Sequence, residues 1–229
     1  MKHPKSSNFD ILARKAYIKT QQLRAFNYLR DYHNKWIYGK QSPIYAEQLW
    51  IDPKKVLAVS HDKVMEKGWG PYSSGRVIKE WPFTAEDYFS IMDLPKIRQC
   101  LLRYRDKLSW EETGAYEHYE QYRTTKTNAR KYTWDFILKR HQQFDAIFET
   151  VKKEKRLRTV SELKPSAFRE ESGILIHIGP DGELIFSETG SHRLGIALVL
   201  NIPRIPVLIG VVHSNAIPML DGYRNKTET

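Results

Sequence analysis

A chain of 229 residues with 37 Lys and Arg against 27 Asp and Glu, a formal net charge of +10, buries a substantial core without covalent staples and favours polyanionic partners. Its single cysteine, Cys100, excludes an intrachain disulfide and any multi-cysteine metal site, and it fits a reducing compartment. No apolar run approaches the roughly 20 residues of a membrane span, and the basic Met1–Asp10 has no apolar stretch behind it to make a secretory signal; the expectation is a cytoplasmic protein with no membrane partner and no structural metal.

Between Phe9 and Tyr38 the residues Leu12, Tyr17, Leu23, Phe26, Leu29 and Trp36 recur without an internal Gly or Pro, which predicts one or two amphipathic helices stopped by Gly39. This sets off an N-terminal helical segment, residues 1–45, from a domain over 46–229. Glu47–Ile51 then reads as a short strand, Asp52-Pro53 as a turn, and Lys55–Val59 as a second extended or short helical piece. The region His61–Pro82 holds Gly68, Gly70, Pro71, Ser73, Ser74 and Gly75 and is expected to be a long ordered loop, with Gly68–Gly75 as a lid. Its Trp69 and Trp81 favour docking against the body of the protein.

From Thr84 to Arg158 the pattern turns helical. Thr84-Ala85-Glu86-Asp87 has the form of a helix start, and Ser109-Trp110-Glu111-Glu112 that of a capping box, which accounts for Glu112 without acid chemistry. Trp134, Ile137, Leu138, His141, Phe144, Ile147, Phe148 and Val151 fall at three- and four-residue steps on one long helix, where His141 reads as a core histidine. Cys100, beside Leu101 and Leu102, reads as a buried thiol. The run Lys152–Arg158 suits a helix C-terminus, whose carbonyls attract cations.

After Ser161 the period becomes that of strands. Gly173–Ile178 predicts a strand, Gly179-Pro180-Asp181-Gly182 a tight turn and Glu183–Phe186 the returning strand of a hairpin. The hairpin leads into Glu188-Thr189-Gly190-Ser191-His192-Arg193, then a helix Ser191–Leu200 ended by Asn201 and Pro203, then a buried strand from Ile205 to Val212. A glycine at the mouth of a helix, followed by small and basic residues, gathers free N–H groups and a positive dipole end around one point. Backbone N–H groups of Ser191 to Arg193 would cradle a phosphate, Arg193 would add a charge-assisted contact, and Thr189, Ser191 and His192 would complete the loop. Glu188 is the candidate general base or Mg²⁺ ligand, because such sites pair one or two carboxylates with phosphate oxygens. His177 on its strand and His213 at the end of the closing strand form a second tier.

The ordered combination of hairpin, Gly190-Ser191-His192-Arg193-Leu194, an apolar helix through Ala197 and Ile205-Pro206-Val207 resembles the core of the ParB/sulfiredoxin superfamily, and Leu49-Trp50-Ile51-Asp52-Pro53 resembles its opening strand. The resemblance implies an α+β fold, a small mixed-sheet core carrying N-terminal helices and a large helical insertion at about 84–158. It also implies phosphate recognition by the loop, with ATP, ADP or CTP and Mg²⁺ as cofactors. Sulfiredoxins carry a catalytic cysteine in this loop, where Ser191 stands here, so their sulfur chemistry is not expected. ParB partition proteins add a DNA-binding domain and a dimerisation tail, for which the short stretch after Val212 leaves no room. The superfamily's ADP-dependent serine kinases share Gly-x-His-Arg and use an acidic residue that Glu188 would supply, with Thr189 standing where an acid often precedes the glycine.

Three functions fit this pattern. A nucleotide-dependent phosphotransferase or hydrolase would use Glu188 and the Gly190–Arg193 loop. A DNA- or RNA-binding protein or nuclease would hold a backbone phosphate in the same loop. A non-catalytic module would sense a nucleotide and report to a protein partner through the helical insertion.

Overall fold

Leu175–Ile178 and Ile205–His213 are buried along their whole length, and a strand buried on both faces must lie inside a sheet that is covered on both sides. The computed structural model describes residues 24–123 and 133–225. Among them the chain forms an α+β structure around a seven-stranded mixed sheet. The strands are β1 (Gln48–Ile51), β2 (Val56–Ala58), β3 (Val77–Ile78), β4 (Phe89–Ser90), β5 (Leu175–Ile178), β6 (Leu184–Phe186) and β7 (Ile205–His213). Their order is β1-β7-β5-β6-β2-β4, with β3 pairing the far end of β7. The expected hairpin forms as β5 and β6, antiparallel across Ile176 and Phe186, while β5 with β7 and β2 with β6 run parallel.

The helices are α1 (Arg24–Tyr38), α2 (His61–Glu66), α3 (Pro95–Cys100), α4 (Ala115–Arg123), α5 (Trp134–Glu154), α6 (Val160–Leu163), α7 (Ser191–Val199) and α8 (Leu220–Arg224). Leu12, Tyr17 and Leu23 of the expected N-terminal helices lie outside the described residues. Among the described residues no helix is long and apolar enough to cross a membrane.

Strand alternation assigns the two faces. Ile176 and Ile178 of β5, Leu184 and Phe186 of β6, and Val207 and Ile209 of β7 share one cluster with Ile97 of α3, Leu194 and Ile196 of α7, Val151 of α5 and Leu220 of α8. Ile185 and Val211 point the other way, onto Val64, Trp69 and Phe83. The region His61–Pro82 is therefore not a lid. It builds α2, a 3₁₀ turn at Pro71–Ser73 and β3, and its Trp69, 5.1 Å from Trp81 and 5.4 Å from Phe83 between ring centres, covers the second face of the sheet. The Gly and Ser content marks turns, but two indoles on bare strands bury far more area than a mobile lid would.

Thr84 does cap with Asp87, yet the capped element is a 3₁₀ turn, Ala85–Asp87, followed by β4 and a second 3₁₀ turn at Ile91–Asp93. Pairing of Leu57 with Ser90 draws this stretch to the sheet edge, and the helix starts only at Pro95, where the missing N–H costs nothing. Ser109 and Glu112 exchange both capping-box bonds, at 2.7 and 3.2 Å, around the turn that leads to α4. Between them α3 runs on through a π-turn, Leu101–Arg105.

Cys100 is fully buried, and burial pushes its thiol up to about 12. It sits where α3 crosses α7 at Gly195, whose added Cβ would lie 2.8 Å from the Cys100 Cβ and 2.9 Å from its Sγ. That close approach seats the N-terminal end of α7 over the insertion. Gly195→Ala is expected to force the helices apart at about 1–3 kcal/mol, which thermal unfolding would read as a melting midpoint lowered by roughly 3–10 °C.

Candidate functional site

The expected loop lies between β6 and α7, and its conformation follows from two left-handed residues. Glu188 has φ 62° and Gly190 φ 88°; the glycine adopts this freely, whereas the glutamate stores strain of about 1 kcal/mol or more. A Cβ on Gly190 would also come within 3.0 Å of the Ile174 Cα. The Leu175 N–H donates to the Thr189 carbonyl at 3.2 Å, tying the loop to β5. Gly190, not Ser191, is the residue that caps α7, and no side chain caps it. The first bond into the helix runs from the Leu194 N–H to the Gly190 carbonyl at 3.1 Å, so the N–H groups of Ser191, His192 and Arg193 precede the hydrogen-bonded turn.

These residues open into a cavity of about 400 Å³, a size suited to a small-molecule ligand. Glu188, Gly190, Ser191, His192 and Arg193 line one side of it. Lys96 of α3 and Arg140 of α5 contribute two more cations, and Tyr119, Phe136, Phe144 and Ile147 an apolar wall. The loop was legible in the sequence, but Lys96 and Arg140 were not singled out. The signal available was the four-residue spacing Phe136, Arg140, Phe144, which places all three on one helical face. The Arg140 guanidinium indeed lies 6.0 Å from the Phe136 ring and 5.1 Å from the Phe144 ring.

Three of the expected donors are engaged differently from the sequence reading. Ser191 Oγ donates back to the Glu188 carbonyl at 2.7 Å, locking the loop instead of pointing outward. Arg193 donates to the Arg158 carbonyl at 3.0 Å while still lining the cavity. Burial lowers its guanidinium from the usual range, and the buried carboxylate of Glu170 opposes that shift. His192 stacks on Phe144 with ring centres 3.8 Å apart and 14° between planes. Burial, reinforced by Arg140 and Lys96, holds its pKa down at about 3, so it is a neutral ring and not a cation. Its Nε2 is buried without a partner. The positive charge of the site thus comes from Lys96, Arg140, Arg193 and the helix end.

His177 and His213 lie away from the cavity. β5 and β7 lose register between Ile176 and Ile178, and at that irregularity the Val211 N–H donates to His177 Nδ1 at 2.9 Å. His177 is a patch in the ladder, fully buried, its ring 5.2 Å from that of Trp69. His213 donates from Nε2 to the Lys79 carbonyl at 2.7 Å and accepts from the Asn215 N–H at 3.2 Å, capping the turn after β7. The described residues contain no group of three or more His, Cys, Asp or Glu placed to hold a metal.

No family model matches the chain, and comparison with curated proteins and with solved structures likewise finds no match.

Proposed function

We propose that the cavity binds a phosphorylated small molecule, with a nucleotide as the class it suits best. The observation that carries this reading is convergence: Lys96, Arg140 and Arg193, from three separate helices, surround the uncapped N-terminus of α7. Cations gathered around free backbone N–H groups favour an anion. Tyr119 and Phe136, with Ile147, give the cavity an apolar wall for a planar base to pack against. Glu188 is placed to share Mg²⁺ with the phosphates, or to take a proton from an acceptor hydroxyl if phosphoryl transfer follows. The kinship with ParB/sulfiredoxin proteins is part of this proposal. It rests on the order of hairpin, loop, helix and buried strand; assignment to the cytoplasm is proposed beside it, on the single buried Cys100, a thiol suited to a reducing compartment.

Calorimetric titration of ATP, ADP, CTP and GTP with Mg²⁺ tests the reading. Lys96→Ala is the informative variant, because among the described residues Lys96 makes no hydrogen bond or ion pair, whereas Arg193→Ala also breaks the bond to Arg158. The expected result is saturable binding to at least one nucleotide, weakened about tenfold by Lys96→Ala through the loss of one charge-assisted contact. Silence toward every nucleotide would sink the reading. Association with single- or double-stranded nucleic acid that collapses steeply with salt would then identify a polynucleotide backbone as the anion.

A further inference from the structure

α1 presents its apolar side outward. Its buried side chains are polar, Asn27, Asp31 and Asn34, whereas Leu29, Tyr32 and Trp36 are 63, 74 and 77 % exposed, with Phe26, Tyr28 and Ile37 exposed around them. The buried side chains fix this orientation. Asp31 accepts the Tyr45 N–H at 2.6 Å and lies 3.3 Å from Arg169. The Asn34 amide donates to the carbonyls of Gly75 at 2.7 Å and Pro43 at 3.0 Å. Turning the helix to bury its apolar stripe would strand each of these groups, at about 1–3 kcal/mol apiece.

We propose that the stripe is covered by a second copy of the same chain, in a two-fold dimer of antiparallel α1 helices. Six large apolar side chains at these exposures present roughly 700 Å² of surface, more than a monomer ordinarily leaves contiguous and close to the about 800 Å² that each partner brings to a standard interface. The pairing is carried by apolar area against a modest like charge: the acid of the helix, Asp31, is on the buried side, Lys35 and Arg30 flank the stripe, and His33 lies within it between Leu29 and Ile37. A two-fold axis near Tyr32 sets Leu29 of each copy against Trp36 of the other, a self-complementary arrangement in which the helix dipoles oppose. The cavity at α7 takes no part in the pairing, so this proposal stands or falls apart from ligand binding.

Sedimentation of the full chain over a hundredfold concentration range, without nucleotide, tests it. A reversible monomer–dimer equilibrium is expected, with the dissociation constant raised about 30-fold or more by Trp36→Glu, as for a central aromatic anchor. Leu29→Glu should act in the same direction, and both variants should keep the circular dichroism and melting midpoint of the wild-type monomer, since neither side chain supports the fold. A monomer at every concentration overturns the proposal, as does a dimer indifferent to both substitutions. A full chain that stays monomeric but dimerises once residues 1–23 are removed would assign the stripe to the chain's own leading segment and overturn it equally.

Discussion

Acidification from pH 7 to about pH 4.5 is expected to unfold the protein, with most of the loss occurring above the range in which ordinary carboxylates titrate. Three strongly shifted histidines make the largest contribution. Burial lowers His141 to about 4 and His177 and His192 to about 3. Each is neutral in the folded state, while the unfolded chain takes up protons near pH 6.5. A depressed histidine pKa means that the unfolded state binds more protons between the two values, so stability rises with pH across that window and is lost as pH falls below about 6.5. At pH 5 each group has withdrawn about 2 kcal/mol, about 6 kcal/mol for the three, which rivals the whole stability of a typical domain.

Structure makes the penalty specific. A proton on His177 Nδ1 would break the bond from Val211 at the irregularity of β5 and β7. A proton on His141 would place a charge between Trp110, 4.4 Å away, and Tyr119, where the Asp145 carboxylate and the Ile137 backbone only partly offset the lost hydration. Glu170 works in the opposite sense: burial raises its carboxyl, and that penalty is relieved as pH falls. It is outweighed, because His118 is also lowered by burial and carboxylates such as Asp87, Glu112 and Asp221, held down by hydrogen bonds and ion pairs, likewise lose their contribution in acid. Urea unfolding at pH 5, 6 and 7 reads the result directly. His141→Phe keeps a ring against Trp110 and removes one titrating group, so its stability should fall with acid less steeply, by about one proton's worth in three. Equal stability at pH 5 and pH 7 would refute the account.

What the sequence made legible was local. The loop from Glu188 to Arg193 could be read because glycine, helix start and basic residues are consecutive, and the hairpin before it because a turn separates two apolar runs. The rest of the cavity depends on chain packing: Lys96 and Arg140 belong to helices of the insertion, and only the crossing of α3 over α7 at Gly195 and the stacking of His192 on Phe144 bring them to the loop. The region His61–Pro82 departs from its expected form for a related reason. Its turn residues are local signals, whereas the burial of Trp69 on Ile185 and Val211 is a property of the sheet. α1 is the sharpest case, because Phe26, Leu29 and Trp36 have the spacing of a core-facing stripe, yet hydrogen bonds from Asp31 and Asn34 turn that stripe away from the core. Periodicity reveals which residues share a face but not which side of the face is inside.

Arg140→Glu should abolish ligand binding while leaving the fold intact. Arg140 is exposed on α5 and held only by the faces of Phe136 and Phe144, so its replacement costs little stability. Its charge nonetheless reaches the site, since it and Lys96 are the first charges that hold His192 neutral. Reversal changes the field at the helix end by two charge units. For a separation of about 7 Å and an effective dielectric near 20 that is about 5 kcal/mol against a singly charged ligand before salt screening, a loss of 100-fold or greater in affinity once screening is allowed for. Arg140→Lys keeps the charge and loses the planar contact with the two rings, so it should cost less than tenfold. If the cavity takes the proposed anion, Glu188→Gln should move the other way when Mg²⁺ is withheld, because it removes the one carboxylate that lines the cavity among the described residues, and that gain should vanish with Mg²⁺ present, when the carboxylate would share the metal. Opposite responses from Arg140 and Glu188, with a metal-dependent sign for the second, would be hard to obtain from diffuse attraction by a chain of net charge +10. Wild-type affinity in Arg140→Glu would instead put the anion somewhere other than the mouth of α7.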